Sequence, residues 1–439
     1  MREARVLPER SEALIAAAER LFDSLGPSGT AAHVRELVVE HDRWREGCLN
    51  LLAAEGLMSR DARRLLDSGL ATRVSEGVPG DKDRSTSPPQ ADRFVDQLEA
   101  LVIALARRLF AASHVEWRAV SNTMANAIAL RALARPGDTI LVQPMSAGAN
   151  VSYQDDAVAG LLGLRTVKMP GTYDFGIDTA ALGEIVLHER PRCIVFGGSK
   201  VLFPYPVAAI RAAADEVGAH VIYDAAHVGP LIAGGLFGDP LREGAHVLIT
   251  GTHKIMGGPV GGLILTEDAE IARRVHGATY PAFLQSRDQN KYAASAVALA
   301  EMLEHVEAYA AAVVQNAQQL ARSLHEAEFE IVGAADGFTR THQVLIDAGA
   351  AAVDLAARSA EARILITPTN IFGEHRTQLG SSGVRASVVQ VTRQGMGPEQ
   401  MERIAELIAT VGQGASPESV GADAEALARA YAIPGYAFG

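Results

Sequence analysis

An aspartate, two histidines and a lysine lie within residues 221–263, VIYDAAHVGPLIAGGLFGDPLREGAHVLITGTHKIMGGPVGGL. Asp224 and His227 follow one apolar run, and Thr252, His253 and Lys254 follow the next. Short apolar runs bounded by loops read as strands, and open α/β sheets place their ligand chemistry just past strand ends. There a carboxylate can hold a protonated pyridine nitrogen and a lysine can form an imine. Pyridoxal 5′-phosphate needs both groups from its protein. The plainer reading is a buried strand followed by a surface lysine.

The cofactor also needs a phosphate cradle. In VSNTMAN (residues 120–126) a strand-like segment gives way to a helical one. Backbone N–H groups at a helix N-terminus favour an anion, and Ser121, Asn122 and Thr123 add polar side chains there. A simple Ser or Thr N-cap accounts for the same residues.

The 221–263 stretch resembles the cofactor-lysine region of the serine hydroxymethyltransferase family, whose pattern is Asp-x-x-His and then Thr-His-Lys before a glycine-rich run. Asp224, His227, Thr252, His253 and Lys254 fall on it, with Gly257, Gly258, Pro259, Gly261 and Gly262 as the run. The resemblance implies a fold type I (aspartate-aminotransferase-like) pyridoxal-phosphate enzyme with Lys254 as Schiff-base lysine and Asp224 at the ring nitrogen. It implies that His227 and Ser199 lie at the 3′-oxygen and carboxylate side of the cofactor, and that His253 supplements the phosphate cradle. Arg385, in SSGVRAS, matches the family arginine that grips the substrate carboxylate; a surface salt bridge is its plain alternative. Glu76, in SEGVPG, matches a glutamate that handles the substrate hydroxyl proton. In the family that loop comes from the neighbouring subunit, so a homodimer with shared sites is implied.

The departures carry information too. The family tyrosine before the glutamate is Val74, its Tyr-Tyr pair is Asp83-Arg84, and Asn150 of MSAGAN stands where a histidine stacks on the cofactor ring, a task that Tyr153 can take over. These changes touch folate-contacting surface. GFTRTHQV (337–344) and TPTNIFGEHR (367–376) look more like threonine transaldolases and α-methylserine-type hydroxymethyltransferases, and VRASVVQVTRQGM (384–396) fits both groups. The resemblance spans about residues 45–413. It implies retro-aldol and aldol chemistry on a β-hydroxy-α-amino acid or glycine, independent of folate, with an aldehyde as second substrate. The alternatives are a serine or α-methylserine hydroxymethyltransferase using tetrahydrofolate, and another pyridoxal-phosphate reaction such as transamination, racemisation or decarboxylation.

These groups need a scaffold. Helical spacing covers 8–25 and 29–49, an N-terminal arm of the sort that packs on a partner subunit. From Asp92 onward helix-like and strand-like segments alternate: 94–111 and Met124–Ala134 helical, Trp117–Val120 strand-like, then β-rich runs at Thr139–Val142, Arg192–Phe196, His220–Tyr223, His246–Thr250 and Gly262–Leu265. Helical stretches at 178–188 and 206–217 separate some of them, the pattern of a mostly parallel sheet covered on both faces. A long helical tract (292–327) leads to a second unit with a strand at Gln343–Ile346 and a helix at 398–412. The expected domains are an arm (1–59), a large α/β cofactor domain (60–310) and a smaller α+β C-terminal domain (311–439), with 81–90 a polar loop.

With 439 residues, 48% hydrophobic and 21% charged, the composition is that of an ordinary folded protein. A net charge of −12 speaks against nucleic-acid binding, and no run approaches the ~20 apolar residues of a membrane span. No metal site is read. The two cysteines, Cys48 and Cys193, cannot staple a chain this long, so a reducing, cytoplasmic setting is expected, with Cys193 in the core and Cys48 a surface thiol.

Overall fold

Strands that are apolar at nearly every position must be covered on both faces, and CIVFG, HVIYD and VLITG are such strands. The structure, a computed structural model, describes residues 7–373 and 381–438. Its main sheet comprises β1 (His114–Glu116), β2 (Thr139–Val142), β3 (Arg165–Lys168), β4 (Cys193–Gly197), β5 (His220–Asp224), β6 (Val247–Gly251) and β7 (Gly262–Thr266). The order is β1-β7-β6-β5-β4-β2-β3. β2 to β6 pair in parallel, and β7 runs antiparallel to both β6 and β1. Register places Asp224 beside Gly197 on one side and Ile249 on the other, so β4 and β5 end level and β6 runs two residues farther.

The strand expected at Trp117–Val120 lies slightly earlier, at His114–Glu116. Beyond it Gly262 N–H still donates to Ala119 O, while Trp117 O accepts from Arg287 and the regular ladder stops.

Helix α1 (Glu9–Glu46) spans both predicted N-terminal helices; Gly26 (φ 63°) and Pro27 mark the break between them. None of its residues is buried, and Leu14, Phe22, Val34, Leu37, Val38 and Trp44 stand exposed. Helix α2 (Pro89–Phe110) begins on a proline at N1, where the missing N–H costs nothing. Helix α3 (Asn122–Leu133) packs against β6 and β7. Helix α4 (Asn290–Glu326) runs unbroken through residue 310 and packs against α2 and against α5 (Pro398–Gly412).

A second, antiparallel sheet joins β8 (Glu330–Ile331), β9 (Gln343–Asp347), β10 (Thr367–Thr369) and β11 (Gly383–Ser387) in the order β8-β9-β11-β10. Leu49–Asn50 pairs in parallel with Ile364–Leu365, so the chain just after α1 is tied to this second unit. Among the described residues no helix is long and apolar enough to cross a membrane. Residues 374–376 of the TPTNIFGEHR motif lie outside the described residues.

Two expectations are corrected. Cys48 is not a surface thiol: it is 2% exposed, with its Sγ 3.2 Å from Trp44 O. The 81–90 segment is not all polar loop, because Asp81–Lys82 pairs with Gly77–Val78, and buried Lys82 forms an ion pair with buried Glu99. A buried ammonium needs such a carboxylate, and Glu99 lies on the inner face of α2.

Candidate active site

The site grows from the ends of β4, β5 and β6. Past β4 the chain turns through Gly197 (φ +89°) and Gly198 (φ +136°). A β-carbon on Gly197 would stand 2.2 Å from Asp224 O, and one on Gly198 2.5 Å from Asn150 N, so only glycine lets the chain pass into Ser199. Half-buried Ser199 offers its carbonyl oxygen to Arg385 Nη1 at 2.9 Å and to Gln343 Nε2 at 3.1 Å.

Asp224 ends β5 with no solvent exposure. Its carboxylate accepts from Ala226 N–H (3.0 Å), Asn126 Nδ2 (3.2 Å), Tyr153 Oη–H (3.3 Å) and Asn122 Nδ2 (3.3 Å). Burial pushes its carboxyl up, against Lys254, the Ala226 N–H and the Asn122 and Asn126 amides, which hold it down. Lys254 follows β6 and is 8% exposed; burial and then Arg385 lower its ammonium to about 8, although Asp224 raises it. Desolvation thus outweighs one carboxylate, leaving an amine that deprotonates near neutral pH.

His227 is 4% exposed and neutral: burial, then Lys254, His342 and Arg385, hold it well below the ordinary imidazole range. His253 is half-buried and lowered to about 4 by burial and Lys254. Arg385, central in β11 between Leu345 and Thr367, is lowered to about 10 by burial.

Ser121 caps α3, accepting from Met124 N–H at 3.1 Å. Thr123 is exposed in its first turn, and no acidic residue stands there to repel a phosphate. Asn122, predicted for the cradle, turns its amide nitrogen onto Asp224. Asn150 caps a short turn, its Oδ1 accepting from Ser152 N–H at 2.9 Å and from Ser152 Oγ. Tyr153, the residue expected to take over ring stacking, is buried with its hydroxyl on Asp224. Glu76 belongs to another neighbourhood, its Oε1 accepting from Ser286 Oγ at 3.0 Å.

Sequence reasoning passed over Asn126 and His342. Asn126 lies four residues after Asn122 on α3, a spacing that puts both amides on one face. His342 gave no such signal, since it stands alone before β9.

These residues fit pyridoxal phosphate. Asn122 Oδ1, His253 Nδ1 and Arg385 Nε are buried without a hydrogen-bond partner among the described residues, as groups awaiting a polar ligand would be. A cleft of about 740 Å³ between Arg131, Arg135, Arg192 and Arg274 contains none of the predicted residues.

Residues 30–408 match the family model described as serine hydroxymethyltransferase. The chain belongs to the serine hydroxymethyltransferase family. The serine hydroxymethyltransferase of Methanothermobacter thermautotrophicus is 36% identical over 383 residues, covering 86% of this chain and 89% of the relative. That of Methanopyrus kandleri is 36% identical over 408 residues, covering 92% and 94%. A crystal structure of L-threonine transaldolase from Pseudomonas fluorescens, in the internal aldimine state, superposes with a TM-score of 0.85 at 25% identity, covering 97% of this chain and 96% of that one. The fold is that of fold type I pyridoxal-phosphate enzymes, and this member of the serine hydroxymethyltransferase group is a pyridoxal-phosphate enzyme.

Proposed function

We propose that this enzyme cleaves and forms the Cα–Cβ bond of β-hydroxy-α-amino acids without folate, in the manner of a threonine aldolase or transaldolase. The observation carrying this reading is the superposition on L-threonine transaldolase over nearly the whole of both chains. The substituted loop agrees with it: Arg84 pairs with Asp92 at 3.0 Å and Asp83 accepts from Tyr280 Oη at 3.1 Å, so charged contacts occupy a place the family gives to tyrosines.

Pyridoxal phosphate, when bound, withdraws electrons from the substrate α-carbon. Lys254 Nζ would hold the cofactor, with Ser121, Thr123 and His253 on its phosphate and Asp224 Oδ keeping a proton on its ring nitrogen. Arg385 would bind the substrate carboxylate through a guanidinium edge that Ser199 O leaves open. Glu76 would take the β-hydroxyl proton. In a single chain it lies with Ser286, so we assign this role to the partner's copy in a homodimer; the exposed apolar residues of α1 support such a partner. Asn150 and Ser199 would border the ring and the carboxylate. Two buried, unpaired cysteines accord with a reducing, cytoplasmic setting.

A second reading, hydroxymethyl transfer from serine or α-methylserine to tetrahydrofolate, is favoured by the names of the sequence relatives. Purified enzyme given L-threonine and an aldehyde without folate should yield acetaldehyde and a new β-hydroxy amino acid. Turnover of L-serine only when tetrahydrofolate is present would favour the second reading and sink the first.

A further inference from the structure

His227 does not meet the cofactor side alone. Its Nδ1 lies 3.3 Å from Nε2 of His342, whose own Nδ1 lies 3.3 Å from Ser387 Oγ. All three groups are buried, the imidazoles at 4% and 0% exposure. The chain links the loop after β5 to the facing ends of β9 and β11, where Gln343 pairs with Ser387.

We propose that Ser387 and His342 form a one-way hydrogen-bond chain that fixes the proton of His227 on Nε2, making His227 a donor, and not a base, toward the cofactor. The direction follows from counting protons. Both imidazoles are neutral, because burial, Lys254 and Arg385 disfavour their cations; for His342 burial and the two cations bring the value to about 3, although the backbone carbonyls of His342 and His227 beside its ring raise it. A neutral imidazole carries one N–H and one acceptor nitrogen. Ser387 Oγ accepts from Val389 N–H at 3.4 Å, and among the described residues His342 Nδ1 is the one acceptor within reach of its hydroxyl proton. The hydroxyl therefore donates to His342 Nδ1, His342 donates from Nε2 to His227 Nδ1, and the proton of His227 stays on Nε2.

Among the described residues no protein group partners that Nε2. It is left for a ligand oxygen, which a fixed N–H stabilises as an anion. With a ligand on that Nε2 every member of the buried chain is satisfied, which also holds the ring plane. His342 and Ser387 are thus positioning residues acting through His227. The inference rests on the pyridoxal-phosphate reading only in naming what Nε2 meets.

The test is the nitrogen NMR of ¹⁵N-histidine-labelled full-length enzyme, before and after loading with pyridoxal phosphate, with His227 assigned by His227→Asn. Wild-type His227 should show the Nε2–H tautomer in both states. Ser387→Ala and His342→Phe should convert it to a mixture or to Nδ1–H, whereas His342→Gln, whose amide N–H can replace the imidazole N–H, should keep it. An Nδ1–H tautomer in the wild type overturns the proposal, as does an unchanged tautomer in both Ser387→Ala and His342→Phe. If His342→Phe fails to fold, the wild type and Ser387→Ala decide. Failure of the cofactor reading would be seen separately, as absence of a visible absorbance band on loading, and would leave the tautomer result standing.

Discussion

A β-carbon on Gly56 would stand 1.8 Å from the carbonyl oxygen of Lys254 and 2.7 Å from that of His253. The segment after β-paired Leu49–Asn50 therefore presses directly on the backbone carrying Lys254, the lysine we propose forms the imine. It has little room to retreat, because Asn50 Nδ2 donates to Glu55 at 2.9 Å and Glu55 also pairs with Arg45.

Gly56→Ala must displace one backbone or the other. Overpacking of this kind costs about 1–3 kcal/mol, and here the strain falls on the Lys254 loop. The variant should melt several degrees lower and hold pyridoxal phosphate at least about tenfold more weakly, read from thermal unfolding and from the visible band at equilibrium. An unchanged band and melting temperature would mean that the loop yields freely and does not position the lysine.

Lys254 should attach the cofactor with an unusual pH dependence. The neutral amine is the nucleophile, and its fraction rises with pH through the folded-state pKa of about 8, not through the ~10.4 of a free lysine. Cofactor-free enzyme mixed with pyridoxal phosphate should thus reload at a rate that rises with pH to a plateau, with a midpoint near 8. A midpoint near that of free lysine would show that burial does not activate this amine. Lys254→Ala should abolish the covalently bound band altogether.

How much of this was legible in the sequence follows from where each residue's information lies. Asp224, His227, His253 and Lys254 stand at fixed distances past two apolar runs, and the parallel register of β4, β5 and β6 brings those ends together, so their convergence could be read locally. The break in α1 was also local, written in Gly26-Pro27. The partners of Asp224 were not. Asn122 was visible at a helix start, but the direction of its side chain was not; its amide nitrogen points to a carboxylate 102 residues away. Lys82 looked like loop polarity because Glu99, which neutralises it, lies on the next helix. His342 and Ser387 acquire meaning only when β9 and β11 pair.

Arg385→Gln tests the substrate side. Among the described residues the guanidinium keeps one bond, to Ser199 O, and its Nε is buried without a partner. Replacing it removes a charge-assisted interaction of about 1.5–3 kcal/mol, so KM for the amino acid should rise roughly 10- to 150-fold. The affinity for pyridoxal phosphate should change far less, as measured by equilibrium dialysis. Equal loss of both would place Arg385 on the cofactor and not on the substrate.

The ion pair between Arg393 and Glu301 separates stability from chemistry. Nη2 and Oε2 lie 2.7 Å apart with side-chain exposures of 1% and 0%, Arg393 sits 5.5 Å over the Tyr309 ring, and Glu301 Oε1 accepts from Phe438 N–H at 3.2 Å. Taking either charge away strands the other in the core, which costs about 3–5 kcal/mol. Glu301→Gln and Arg393→Met should therefore each lower the unfolding free energy by that amount in urea. Removing both, as Glu301→Leu with Arg393→Met, leaves no stranded charge and should recover most of the loss, because a well-packed apolar pair often matches a buried ion pair. A double variant as unstable as the sum of the two single ones would show that the pair stabilises the fold through the hydrogen bonds it makes, to the C-terminal tail above all, and not merely by cancelling its own charge.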